Sequence, residues 1–225
     1  MKIHVVSATR ATREAFWATS ALGQSLRRLA DDKRLVPWIA YDNTQGLPEI
    51  YNQVIRHDVT PGAAVFVHDD VWLDDAFFAD RILEGLSRFD VIGLAGNRRR
   101  VDRQPGWAFV NEKFEWDERQ NLSGLVGHGQ TAFGRVTRYG DCPAPCELLD
   151  GILIAAHIHT LLSHDCRFDP TFKFHFYDLD FCRTARQKNL QLATWPISVT
   201  HQSGGAFGTD SWRLGYQTYL DKWAA

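Results

Sequence analysis

AAVFVHDDVWL, residues 63–73, joins a short apolar run to a cluster of metal-capable side chains, and its reading decides the fold. Ala64, Val65, Phe66 and Val67 are small or β-forming and follow the breaker pair Pro61-Gly62, so they read as a buried strand. The run stops abruptly at His68-Asp69-Asp70. Charged groups avoid a dry interior, which puts these three at the carboxyl end of the strand, on the rim of a sheet. In open α/β sheets that rim is where ligands sit. Carboxylates there can hold Mg²⁺ or Mn²⁺, hard ions that also bind phosphate oxygens. Equally, Asp69 and Asp70 can cap a following helix whose first turn is Leu73-Asp74-Asp75.

Working outward toward the amino terminus, residues 2–8 read as a strand, and Thr9 or Thr12 as the cap of a helix running to about residue 30. A second strand covers 35–41 and ends in the turn-rich Asp42-Asn43-Thr44-Gln45-Gly46. A short helix at 47–56 tolerates Pro48 in its first turn. Beyond the opening stretch, a helix is expected over 74–87 and a fourth strand over 89–95. Strand and helix thus alternate with short connections, the pattern of parallel strands joined by crossover helices in a Rossmann-like half. The first turn, Ser7-Ala8-Thr9-Arg10, has no GxGxxG, so a dinucleotide is not indicated.

Composition narrows the class. The chain has 225 residues, 44% of them apolar, with eight Trp and a formal net charge of −2. That charge argues against a general nucleic-acid or membrane-surface binder. The 3–6 segment is too short for the apolar core of a signal peptide, and no run approaches the ~20 residues needed to span a bilayer. With four Cys, the expected compartment is a reducing cytoplasm. Cys142 and Cys146, without a second pair, read as part of a loop more readily than as a metal or disulfide site.

Residues 97–141 break the alternation. They open on Arg98-Arg99-Arg100 and carry Trp107 and Trp116, with a short hairpin expected between the two tryptophans. Long irregular segments of this kind are commonly functional loops. The arginines fit a solvated face or contact with an anionic group. Residues 147–156, ELLDGILIAA, form another buried strand interrupted by Asp150-Gly151. A carboxylate inside an apolar run needs a partner or a task, and the glycine permits close approach of a ligand. A bulge with Asp150 bonded to backbone is the alternative. After Phe168-Asp169 and residues 172–181, a helix begins at Tyr177-Asp178-Leu179-Asp180, where its dipole favours an anion. A last strand at 190–199 leads to His201 and a Gly-rich stretch, and an amphipathic helix spans about 210–223.

The ordered set Asp42–Leu47 with Tyr51-Asn52, Phe66–Asp70, Leu149-Asp150-Gly151, Phe168-Asp169, His175–Asp180 and His201 resembles the inverting family 2 glycosyltransferases of GT-A fold. Within them it is similar to the small bacterial group that includes streptomycin-biosynthesis-type proteins. The likeness covers nearly the whole chain. It implies an α/β GT-A fold, a Rossmann-like, mixed but mostly parallel sheet flanked by helices in a single domain. Residues 1–96 would be the nucleotide-binding half, 97–147 an irregular region and 148–225 the acceptor and catalytic half.

Residue by residue, the resemblance implies that Thr9, Arg10, Asp42, Asn43, Asn52 and Asp69 line the nucleotide pocket. His68-Asp69-Asp70 takes the place of the DxD motif, with Asp70 the foremost metal ligand and His68 standing where the first Asp is found. His201 matches a late histidine ligand, and the ion would be Mn²⁺ or Mg²⁺. Asp178 matches the catalytic base of a Glu-Asp pair whose Glu is Tyr177 here. Asp150, Gly151, Tyr177 and Trp107 would face the donor sugar and acceptor. The implied reaction moves a sugar from a nucleotide-diphosphate donor, a UDP-sugar foremost, to a hydroxyl of a glycan or small molecule. Two other functions fit the same residues: a nucleotidyltransferase using Asp69 and Asp70, and a carbohydrate-binding protein on a decayed transferase.

Overall fold

The computed structural model describes residues 1–223. In chain order, β1 (Lys2–Ala8) leads to α1 (Arg13–Thr19) and α2 (Ala21–Arg28), then β2 (Leu35–Ala40), α3 (Leu47–Tyr51) and a 3-10 turn at Asn52–Val54. β3 (Gly62–Val67), β4 (Val71–Leu73), α4 (Phe78–Leu86), β5 (Val91–Gly93) and β6 (Ala95–Asn97) follow. The middle of the chain holds β7 (Leu122–His128), β8 (Arg135–Arg138), β9 (Ala144–Cys146) and β10 (Leu148–Leu149). β11 (Leu153–His157), α5 (Ile158–Ser163), α6 (Tyr177–Gln187), β12 (Leu192–Thr194), β13 (Val199–His201) and α7 (Asp210–Trp223) complete it.

β3 is an interior strand of a seven-stranded sheet ordered β2-β1-β3-β11-β5-β12-β9. Its residues from Ala63 to Val67 are shielded from solvent, as are Ile3, Val5 and Val6 of β1. Strands buried on both faces read as continuous apolar runs, which is why these segments show no alternation. β2, β1 and β3 run parallel, as the alternating half requires. β11 then inserts antiparallel between β3 and β5, so the fourth expected strand is not the neighbour of the third. The sheet is therefore mixed. A smaller sheet, β10-β6-β7-β13-β4 with β8 on β7, stands beside it.

Several local expectations change. Residues 71–73 form a strand rather than a helix start, because Val71 and Leu73 bury toward the core while the segment pairs antiparallel with Val199–His201. The helix begins later, at Phe78. The long first helix breaks at Ser20, whose hydroxyl accepts the Gly23 N–H at 2.9 Å while its own N–H closes α1 on Phe16 O. The 89–95 strand splits at Leu94 between the two sheets. The hairpin expected from Trp107 to Trp116 is reduced to one bridge, Phe109 to Trp116, and the true hairpin of this region is β7–β8.

The last helix is fastened near the site. Lys222 Nζ lies 2.7 Å from both Asp169 and Asp180, and Trp223 Nε1 donates to the buried Asp180 at 2.7 Å. The Arg183 guanidinium sits 4.2 Å above the Trp223 ring. Lys222→Met leaves Asp180 with only the indole donor, and an under-satisfied buried carboxylate costs roughly 1–3 kcal/mol. The urea midpoint of that variant should fall with an unchanged slope; an unmoved midpoint means that the pair contributes nothing net.

Candidate active site

The carboxyl ends of β1, β3 and β13 meet on one rim. His68, Asp69 and Asp70 follow Val67 directly, and His68 N–H donates to Ile152 O at 3.2 Å, which fixes the exit of the chain from β3. The antiparallel register of β13 on β4 sets His201 opposite Val71, one residue from Asp70. His201 Nε2 consequently lies 3.3 Å from Asp70 Oδ1. His68, Asp70 and His201 each offer a donor atom, all within 4.8 Å of one another. Asp70 Oδ1 is shielded from solvent and accepts no hydrogen bond among the described residues. A buried carboxylate oxygen without a donor, facing two imidazoles, fits a divalent cation.

The base candidate comes from another part of the chain. Phe176, immediately before α6, has φ 65° in the left-handed region. A bulky residue adopts that conformation only when its surroundings impose it. The Phe176 ring stacks on Tyr216 and Tyr219 of α7, and Gly215 admits it closely, since a Cβ there would lie 3.1 Å from the ring. The chain thereby enters α6 with Tyr177 and Asp178 turned toward Gly151. Asp178 Oδ2 accepts the Gly151 N–H at 3.0 Å. The Tyr177 hydroxyl donates to Gly151 O at 2.8 Å and meets His68 Nε2 at 2.9 Å. Because the phenol has one proton and gives it to Gly151 O, its oxygen is left to accept from His68 Nε2.

The electrostatics separate the carboxylates. Burial and the nearby charge of Asp150 push Asp178 from 3.8 up to about 7, against the pull of the Leu179 and Gly151 N–H groups. Burial also works to raise Asp70, but contact with His201 and its charge outweigh it and hold the carboxyl at about 2. Burial opposes the charged form of His201 as well, yet Asp70 prevails and raises it. His68 is lowered, chiefly by burial. One carboxylate is thus kept ionised beside imidazoles, and another is poised to exchange a proton near neutrality.

These groups share a cavity of about 500 Å³ lined by His68, Asp69, Asp70, Trp107, Asp150, Gly151, Tyr177, Asp178 and His201. The Trp107 indole N–H donates to Asp150 Oδ2, and Asp150 Oδ1 accepts the Ile152 N–H at 2.9 Å, so this carboxylate in an apolar run is bonded to neutral donors. Tyr177 is a buried strut rather than an open contact. Thr9, Arg10, Asp42 and Asn43 lie beside the cavity, not in its lining, where Thr9 N–H donates to Ala40 O and Asn43 N–H to Thr9 O, both at 2.9 Å. Asn52 stands apart: its amide spans the backbone of Phe168, donating to the carbonyl at 2.7 Å and accepting the N–H at 3.1 Å, which leaves it a structural tie. Sequence reasoning missed His128, Tyr139, Phe174 and Phe207 in the lining. For His128 and Tyr139 the aromatic density of 97–141 was the available signal, while Phe174 and Phe207 lie outside that segment.

No protein-family model and no curated protein matches the sequence. Among solved structures, one of GalNAc-T7 with UDP, GalNAc and Mn²⁺ superposes with a TM-score of 0.54 at 10% identity, over 97% of this chain and 47% of that one. A mannosyltransferase, PcManGT from Pyrobaculum calidifontis in complex with GDP-Man and Mn²⁺, gives 0.47 at 14% identity, over 97% and 61%. S. aureus TarS 1-349 gives 0.49 at 13% identity, over 90% and 60%. The chain spans about half the length of the first of these. At such identities the likeness concerns architecture, and on that level the chain has the GT-A fold of glycosyltransferases.

Proposed function

We propose that this chain is an inverting, metal-assisted glycosyltransferase of the family 2 kind, moving a sugar from a nucleotide-diphosphate donor to an acceptor hydroxyl. The observation that carries this reading is that a cation-ready triad and a separate carboxylate poised near neutrality line one cavity. Asp70, His201 and His68 would hold the ion, and two imidazoles with one carboxylate suit Mn²⁺ better than Mg²⁺. When bound, such an ion neutralises charge building on the departing diphosphate. Among the described residues no Lys or Arg lines the cavity, so within that lining the task would fall to the ion.

Asp178 is the base that takes the acceptor proton as the hydroxyl oxygen attacks the anomeric carbon. Attack on the face away from the leaving group inverts that centre, and no enzyme nucleophile is needed. Gly151 N–H and the Tyr177 strut orient Asp178, and the α7 stack behind Phe176 keeps the turn in place. The GalNAc-T7 structure contains UDP and Mn²⁺, which supports a UDP-sugar as the first donor to try. Thr9, Asp42, Asn43 and Asp69 would contact the nucleoside.

A thermal-shift screen of UDP-, GDP- and dTDP-sugars, each with and without Mn²⁺, tests this directly. A donor bound at about 100 times its Kd stabilises the fold by about 2.7 kcal/mol, and the shift should require the metal. Turnover should release nucleoside diphosphate and a product of inverted anomeric configuration. Pyrophosphate release would instead indicate nucleotidyl transfer, and glycan binding without any nucleotide response would indicate a binding protein.

A further inference from the structure

We propose that the acceptor is a ring-bearing alcohol without negative charge, seated with one C–H face on Trp116; the inference deepens the transferase reading and rests on it. Two independent features lead there. The first is charge. Asp69, Asp70, Asp150 and Asp178 all line the cavity, whereas no Lys or Arg does among the described residues. Three cations near the aromatic segment are paired with carboxylates: Arg99 with Asp117 at 2.5 Å, Arg103 with Glu112 at 3.1 Å, and Lys173 with Glu49 at 2.6 Å. A nucleotide diphosphate arrives with a divalent ion; an acceptor has no such escort. An acceptor anion would meet like charges in a partly desolvated space, with no lining Lys or Arg to pair it.

The second feature is shape. Trp107, Trp116 and Tyr139 form one wall of the cavity. The Trp116 and Tyr139 rings are nearly parallel, at 11° and 5.9 Å between centroids, and Trp107 meets both edge-on. Two polar handles of this wall are already used, the Trp107 N–H on Asp150 and the Tyr139 hydroxyl against His128 Nε2 at 3.2 Å. Trp116 nonetheless remains 57% exposed. An open indole in a cavity that also holds four carboxylates offers a flat apolar platform, suited to the C–H face of a saturated ring whose hydroxyls point inward to Asp178. Neutral and amine-bearing rings share this chemistry, and uronates, sulfates and phosphates do not.

The test uses the full chain loaded with UDP and Mn²⁺, and in parallel without them. Saturation-transfer NMR would rank matched methyl glycosides: neutral hexosides, their 2-amino counterparts, the corresponding uronates and the 6-phosphates. At least one neutral or amino ring should bind, with its matched anion weaker by about tenfold or more. Trp116→Ala should weaken that ring by about tenfold, Trp116→Phe should restore most of it, and UDP affinity should stay the same in both variants. Anionic rings binding as well as neutral ones, binding indifferent to Trp116→Ala, or no ring binding at all would each overturn the proposal. Failure of every nucleotide to bind, with ring selectivity intact, would instead sink only the transferase reading.

Discussion

Asp178→Asn should abolish sugar transfer, lowering kcat by about 10²–10⁴-fold, while leaving nucleotide and Mn²⁺ binding nearly as in the parent. The amide keeps an oxygen for the Gly151 N–H, so the turn at Phe176 persists and the fold should be retained. The proton acceptor is lost, and of the two N–H groups that Asp178 accepts, that of Leu179 at 2.9 Å gives up its oxygen. The parent should show a pH–rate profile rising to a plateau through about 7, where Asp178 ionises. The sign of the stability effect is opposite to that of a salt-bridged aspartate. With its carboxyl raised from 3.8 to about 7, the folded protein holds a proton that the unfolded chain has released across that window. Stability therefore declines as pH rises from 3.8 toward 7, and Asp178→Asn should remove that component of the slope. Transfer persisting at parental rate in the Asn variant would take the base role away from Asp178.

Asp70→Asn should be the second large loss. The substitution preserves shape but deletes the charge that two imidazoles face, and Lewis-acid assistance is worth several kcal/mol, or upward of about 100-fold in rate. The thermal stabilisation by UDP with Mn²⁺ should shrink with it, since among the described residues no lining Lys or Arg substitutes for the ion. Without metal, the parent and the variant should also differ in acid. Asp70 is held at about 2, below its ordinary 3.8, so its pairing with His201 stabilises the fold above 3.8 and is lost as pH falls toward 2. Metal binding itself requires His201 to be neutral, so Mn²⁺ affinity should weaken on acidification through the raised His201 value. An Asn variant with undiminished Mn²⁺-dependent shift would place the cation elsewhere.

Much of this site was legible as residues and little of it as geometry. Asp70 stands out because it ends an apolar run, and Asp178 because it opens a helix; both are properties of short windows. Asn52 shows the limit of that reasoning. Its type and place in the motif suit a polar ligand, but its amide is spent on the Phe168 backbone, a partner that no local pattern names. The helix expected at 74–87 erred at its start for the same reason, since Val71–Leu73 is held as a strand by Val199–His201.

From the sequence alone came the buried strands β1 and β3, the last helix at 210–223 and the acidic rim after Val67. Hydrophobic period, breakers and caps act over a few residues, so a linear text records them. Tertiary structure alone decided that β11 slots antiparallel between β3 and β5, that the β4–β13 register sets His201 against Asp70, and that Trp107, Trp116 and Tyr139 close over the rim. Those outcomes depend on pairings between distant segments, whose free energy exists only once the chain has brought them together.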